Sequence, residues 1–103
     1  MDLLTETDLG KLTRLCRRYR VHRLELFGSA ADAERYDPTS SDLDFLVEFE
    51  DMPPARYADS YFGLLESLED LFGRPVDLVT EGAIRNPYFR RSVDATRRLL
   101  YAA

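Results

Sequence analysis

The sequence predicts an α+β fold, a small mixed β-sheet flanked by helices in the order helix, strand, strand, helix, strand, helix. Three observations carry that prediction. Apolar residues recur at three- and four-residue spacing in three stretches; short β-prone segments with alternating or continuous apolar character lie between them; turn or capping residues mark the boundaries. At 103 residues the chain can build one core, and residues 1–103 are read as a single domain, without a second lobe to hold a polymeric substrate.

Thr7 or Asp8 can cap the first helix, whose apolar face is Leu9, Leu12, Leu15, Cys16 and Tyr19, with Lys11, Arg14, Arg17 and Arg18 largely opposite. Val21 to Phe27 alternates Leu24 and Leu26 with Arg23 and Glu25 and stops at Gly28, as a strand entering a tight turn does. Ala30 to Ala33 suits a short helix, and Glu34-Arg35-Tyr36-Asp37-Pro38-Thr39-Ser40-Ser41 is a polar loop rich in turn formers. Leu43 to Phe49 is the second strand. Met52-Pro53-Pro54 breaks the pattern, and Tyr57 to Phe72 restores helical spacing through Tyr61, Leu64, Leu65, Leu68 and Leu71, closed by Gly73 and Pro75. Pro75 to Thr80 is a third strand that sets Asp77 between Val76 and Leu78. Asn86-Pro87 supplies a cap and a first-turn proline for a last helix running to about Tyr101, with Phe89, Val93, Thr96, Leu99 and Leu100 inward and Arg90, Arg91, Arg97 and Arg98 mostly exposed.

Fourteen basic against nineteen acidic residues give a net charge of −5, which argues against a broad grip on a phosphate backbone, so no direct DNA binding is expected. No apolar run approaches the roughly 20 residues of a membrane span, and the first residues do not resemble a leader, so the chain reads as cytoplasmic. Cys16 is the single cysteine. It cannot form an internal disulfide, cysteine-rich metal sites are excluded, and its helical position suits a small buried apolar role. His22 has no partner at metal-ligand spacing and reads as a surface or strand-edge residue.

The residues richest in chemistry are Asp42 and Asp44. Two apart on a strand, they project to one side, close enough to share divalent ions, and beside Phe45-Leu46-Val47 they are costly to desolvate without a cation. A second reading stands on spacing alone: Asp42 closes a serine-rich turn and Asp44 faces water. Asp77 shifts the balance, because a third strand beside the second would bring a third carboxylate to the cluster. Gly28 and Ser29 add a turn where backbone can approach a ligand and where a hydroxyl and free amides can meet phosphate oxygens, although such a pair alone is commonly only a turn. Together these residues suggest two-metal phosphoryl chemistry, in which Mg²⁺ takes carboxylate oxygens and completes its shell with water and substrate phosphates. Tyr57, Tyr61, Phe62, Tyr88 and Phe89 suit core or interface packing, since no basic groove accompanies them.

The strings Leu26-Phe27-Gly28-Ser29, Ser41-Asp42-Leu43-Asp44-Phe45-Leu46-Val47 and Val76-Asp77-Leu78-Val79 resemble the minimal nucleotidyltransferases (MNT) of the DNA polymerase beta superfamily. The resemblance covers nearly the whole chain, including Arg85-Asn86-Pro87-Tyr88-Phe89 and the closing Leu100-Tyr101-Ala102-Ala103. It implies that residues 1–103 form a single nucleotidyltransferase domain. It further implies that Gly28 and Ser29 hold a nucleotide triphosphate, that Asp42 and Asp44 bind two Mg²⁺ ions, and that Asp77 completes the metal site and helps activate the acceptor. It implies ATP as substrate and, as partner in a hetero-oligomer, a HEPN-type toxin whose tyrosine receives AMP, so that the enzyme acts as antitoxin.

One departure from the family pattern stands out. Many relatives continue the turn as Gly-Ser-x-Ala-Arg-Gly, whereas this chain carries Asp32 in place of the arginine. A charge reversal there weakens support for the triphosphate by an amount on the order of a few kcal/mol at close range. An alternative follows: an antitoxin with a decayed nucleotide site that neutralises its partner by occlusion alone. A small-molecule transferase of the aminoglycoside-modifying type shares the core, but those enzymes usually add a second domain to hold the acceptor.

Overall fold

The computed structural model describes residues 5–31 and 42–103, apart from the side chains of Ser29 and Ala30. The polar loop and Asp32 lie outside the described residues. Helix α1 (Glu6–Arg18) begins earlier than the sequence suggests, because Thr5 and Asp8 form a reciprocal capping box: the Asp8 amide donates to Thr5 Oγ1 at 3.1 Å, and the Thr5 amide to Asp8 Oδ2 at 3.4 Å. Asp8 is therefore not the cap itself but the acid that closes it. Strand β1 (Val21–Phe27) follows, then a 3-10 turn (Gly28–Ala31), the second half of the expected Ala30–Ala33 helix lying outside the described residues, and strand β2 (Leu43–Phe49).

Helix α2 (Pro54–Phe72) starts three residues before the expected Tyr57. Proline lacks only an amide that the first helical turn leaves unpaired, so Pro54 opens the helix instead of blocking it. Gly73, at φ 65°, closes α2 with its amide on the Glu69 carbonyl at 2.8 Å. Strand β3 (Val76–Thr80) leads through a 3-10 turn (Glu81–Ala83) to helix α3 (Pro87–Thr96), capped by Asn86. The last helix does not reach Tyr101. It stops at Thr96, and Arg98–Ala102 forms a fourth strand, β4. The spacing of Leu99 and Leu100 fits either conformation, and what decides is the free edge of β1, whose backbone groups need partners.

The sheet order is β3-β2-β1-β4, with β1 antiparallel to β2 and β4 and β2 parallel to β3 across α2. Alternation of side chains divides it into two faces. Leu24, Leu26, Leu43, Phe45, Val47 and Leu78 meet Leu12 and Cys16 of α1 and Leu64 and Leu68 of α2 in the main core. On the other face, Phe27 and Leu46 pack with Val93 of α3, joined by Val79 and Ile84. Burial pushes the Cys16 thiol up to about 12, so it stays protonated and apolar in behaviour. No helix among the described residues is long and apolar enough to cross a membrane.

Candidate active site

The second face carries the acids. In the parallel ladder Asp44 on β2 is the register partner of Asp77 on β3, and in the antiparallel ladder Phe27 on β1 is the partner of Asp44. One row thus crosses the sheet as Asp77, Asp44, Phe27, with Asp42 two residues before Asp44 at the mouth of β2. Pairing with β3 begins one residue after Asp42, where the Leu43 amide donates to the Pro75 carbonyl at 3.2 Å. Asp42 and Asp77 are exposed and Asp44 is half-buried. The neighbour of Phe27 in sequence is Gly28, which turns the chain at φ 74° directly over Asp44. A Cβ at Gly28 would sit 2.5 Å from Asp44 Oδ2, so the close approach requires glycine.

These placements determine the electrostatics. Desolvation, then the charges of Asp77 and Asp42, raise Asp44 from 3.8 to about 6. Both neighbouring carboxylates therefore bear on Asp44. Among the described residues, however, no group of three His, Cys, Asp or Glu side chains is arranged as a ready metal cage. The donor set suits a hard divalent cation: all oxygen, anionic, and held at a cost that a positive charge relieves.

The Gly28 amide differs from expectation. It is not free for a ligand, because it donates to Thr96 Oγ1 at 2.8 Å. Thr96, counted above among apolar helix positions, ends α3 against this turn, and nothing in a span of 68 residues signals that contact. Arg97 and Arg90 are half-buried rather than on an open solvated face. Arg97 donates to Glu25 Oε2 at 2.8 Å and Oε1 at 2.6 Å, and to Asp94 at 2.7 Å; Arg90 donates to Glu81 at 2.6 Å. Glu25, 3 % exposed, lies one row beyond Phe27 on the same face, with Arg23 as a second partner at 3.0 Å. The Arg97 hydrogen bonds hold the Glu25 carboxyl below its ordinary range against the opposing effect of burial, and Glu25 in turn raises Arg97.

His22 and all but one of the five singled-out aromatic side chains sit at the surface. His22 is exposed, 3.7 Å from Glu48. Tyr57, Phe62, Tyr88 and Phe89 are exposed, and the Phe89 ring stands edge-on to Phe27 at 5.9 Å. Tyr61 is half-buried and donates to the Leu78 carbonyl at 2.6 Å.

A family model of the nucleotidyltransferase domain matches residues 11–100. The chain belongs to the nucleotidyltransferase domain family. This nucleotidyltransferase is 42 % identical over 77 residues to a Methanocaldococcus jannaschii protein named as a candidate protein adenylyltransferase, a match covering 75 % of this chain and 74 % of the relative. Among solved structures, one of a candidate minimal nucleotidyltransferase is 33 % identical, with a TM-score of 0.72 and 95 % of each chain covered. A chain in the complex of a tri-AMPylated Shewanella oneidensis HEPN toxin with an MNT antitoxin superposes with a TM-score of 0.63, covering 97 % of this chain and 74 % of that one. At 18 % identity it shares the fold.

Proposed function

We propose that this nucleotidyltransferase transfers AMP from ATP to a tyrosine hydroxyl of a partner HEPN toxin and in that way acts as its antitoxin. The observation that carries the proposal is the Asp77-Asp44-Phe27 row ending in a glycine turn pressed onto Asp44, which sets an anionic cluster beside a close-approach backbone. The adenylyltransferase name of the Methanocaldococcus relative and the AMPylated toxin in the Shewanella complex support AMP as the transferred group and a HEPN protein as acceptor.

In this reading Gly28 and Ser29 hold the triphosphate, Asp42 and Asp44 hold Mg²⁺, and Asp77 completes the metal site and helps activate the acceptor. Bound there, Mg²⁺ would neutralise phosphate charge and lower the affinity of the acceptor oxygen for its proton. The chain's own contribution is position and field. The backbone of Asp44 is set by pairing on both sides of β2, so its side chain leaves the sheet from a fixed point on the face of Asp77 and Phe27. The acceptor oxygen bonds to the α-phosphorus, its proton leaves toward the carboxylate cluster, and pyrophosphate departs. Positions Asp42 and Asp77 are open to solvent, which leaves room for phosphates and a protein tyrosine to complete the site.

The test uses single variants Asp42→Asn and Asp44→Asn with radiolabelled ATP, Mg²⁺ and any HEPN protein co-encoded with this chain. Loss of label transfer in both, with thermal unfolding still cooperative, is the expected result. Undiminished transfer in both would refute the assignment. A second reading, neutralisation by occlusion, is favoured by Asp32, the acid standing where many relatives carry an arginine.

A further inference from the structure

We infer that Thr96 is a positioning residue for the nucleotide site, holding the Gly28 turn in its ligand-ready shape from the far end of α3. The inference rests on the reading of Gly28 and Ser29 as the triphosphate turn.

The geometry leaves the Thr96 hydroxyl one way to act. Its single hydrogen is directed back to the Ser92 carbonyl, 3.3 Å away and one helical turn earlier, so toward the Gly28 amide at 2.8 Å the oxygen can only accept. The Gly28 amide is thereby withdrawn from any ligand. Its role becomes internal: it fixes a left-handed residue, φ 74°, at the point where the turn leaves β1 and passes over the Asp44 carboxylate. A turn already locked need not be ordered when a triphosphate arrives, and that saved ordering appears as affinity.

The hydroxyl is itself on a rigid mount. Val93, three residues earlier, is fully buried against Phe27 and Leu46. Phe89, two helical turns back, stands edge-on to the Phe27 ring. Arg97, the next residue, is tied by two hydrogen bonds to the buried Glu25 on β1, one row from Phe27. The end of α3 is thus fastened to β1 on both sides of Thr96, and a displacement of the hydroxyl would have to break packing or an ion pair. Thr96 need not touch substrate. It acts through Gly28.

The experiment compares wild type, Thr96→Val and Thr96→Ser by calorimetric titration with the non-hydrolysable ATP analogue AMP-PNP in Mg²⁺, alongside thermal melts. Valine keeps the shape and removes the acceptor; serine keeps the acceptor. Thr96→Val is expected to weaken binding roughly five- to tenfold, the worth of one polar contact, and Thr96→Ser to restore it to within about twofold of wild type. Hydrogen exchange at the Gly28 amide should quicken in Thr96→Val and not in Thr96→Ser. Should the valine variant fail to fold, Thr96→Ala gives the same comparison. Equal affinity in wild type and Thr96→Val overturns the inference while leaving the proposed function intact, as does equal weakening in the valine and serine variants. Absence of binding by wild type would overturn the triphosphate reading and this inference with it.

Discussion

Asp44→Asn should make the metal-free protein more stable while removing its activity. Asp44 titrates at about 6 rather than 3.8 because burial and the neighbouring charges of Asp77 and Asp42 disfavour its anion. The folded state therefore holds the proton more tightly than the unfolded state, and stability falls as pH rises through the interval between these values. At about 1.4 kcal/mol per pH unit the interval corresponds to a ceiling of ~3 kcal/mol. Because Asp44 is only half-buried and solvent screens its neighbours, ~1–2 kcal/mol is the working figure. In a domain of this size that is a rise in Tm of roughly 5–15 °C for Asp44→Asn. The assay is thermal unfolding with a chelator at pH 8 and at about pH 2.5, well below both values. The gain should be complete at pH 8 and vanish at the acidic pH, where Asp44 is protonated in both states. Millimolar Mg²⁺ should stabilise wild type and not the variant. An Asp44→Asn protein that melts lower than wild type at pH 8, or a gain that persists unchanged in acid, would refute the reasoning.

Other predictions follow from the same geometry. Apparent affinity for Mg²⁺ should fall as pH drops through about 6, where a proton competes with the metal for Asp44, and an Mg²⁺ requirement unchanged between pH 8 and pH 5 would contradict this. Gly28→Ala should be destabilised by about 1–3 kcal/mol in a melt and lose nucleotide binding, because the new Cβ meets Asp44 Oδ2 in a left-handed backbone. Gly63→Ala tests packing against propensity. Alanine favours mid-helix by up to ~1 kcal/mol, yet its Cβ would run into the Tyr19 ring that joins α1 to α2, and a net loss of about 1–2 kcal/mol in denaturant is expected. Arg97→Ala leaves the buried Glu25 carboxylate with Arg23 as its remaining partner and should cost about 2 kcal/mol at pH 7, less as Glu25 is protonated in acid. The Glu25→Leu/Arg97→Met pair should recover much of that loss in chemical denaturation.

Local pattern suffices where neighbouring residues alone decide the structure. Leu12, Cys16, Leu64 and Leu68 fall inward because helical spacing alone places them on one stripe, and the pairing of Asp44 with Asp77 is visible because strand alternation fixes which side chains share a face, while Asp42 stands just ahead of β2. The misses arise where a distant part of the chain decides. Leu99, Leu100 and Tyr101 become strand because β1 has an edge to fill, a demand that no window of sequence around them contains. Arg97 looks like a solvated helix residue until the fold brings Glu25 beneath it. Thr96 looks apolar by position, and its hydroxyl matters only once Gly28 is known to lie 2.8 Å away. Pro54 misled for a local reason, since a proline that would break a helix interior is welcome at its first position.

The central claim is tested most directly by intact-mass analysis of any HEPN protein co-encoded with this chain, after incubation with ATP, Mg²⁺ and either wild type or the Asp42→Asn/Asp44→Asn variant. The account predicts that the toxin gains one or more AMP units with wild type and none with the variant. An unmodified toxin held in a stable, neutralised complex by both proteins would contradict it and leave occlusion as the mechanism.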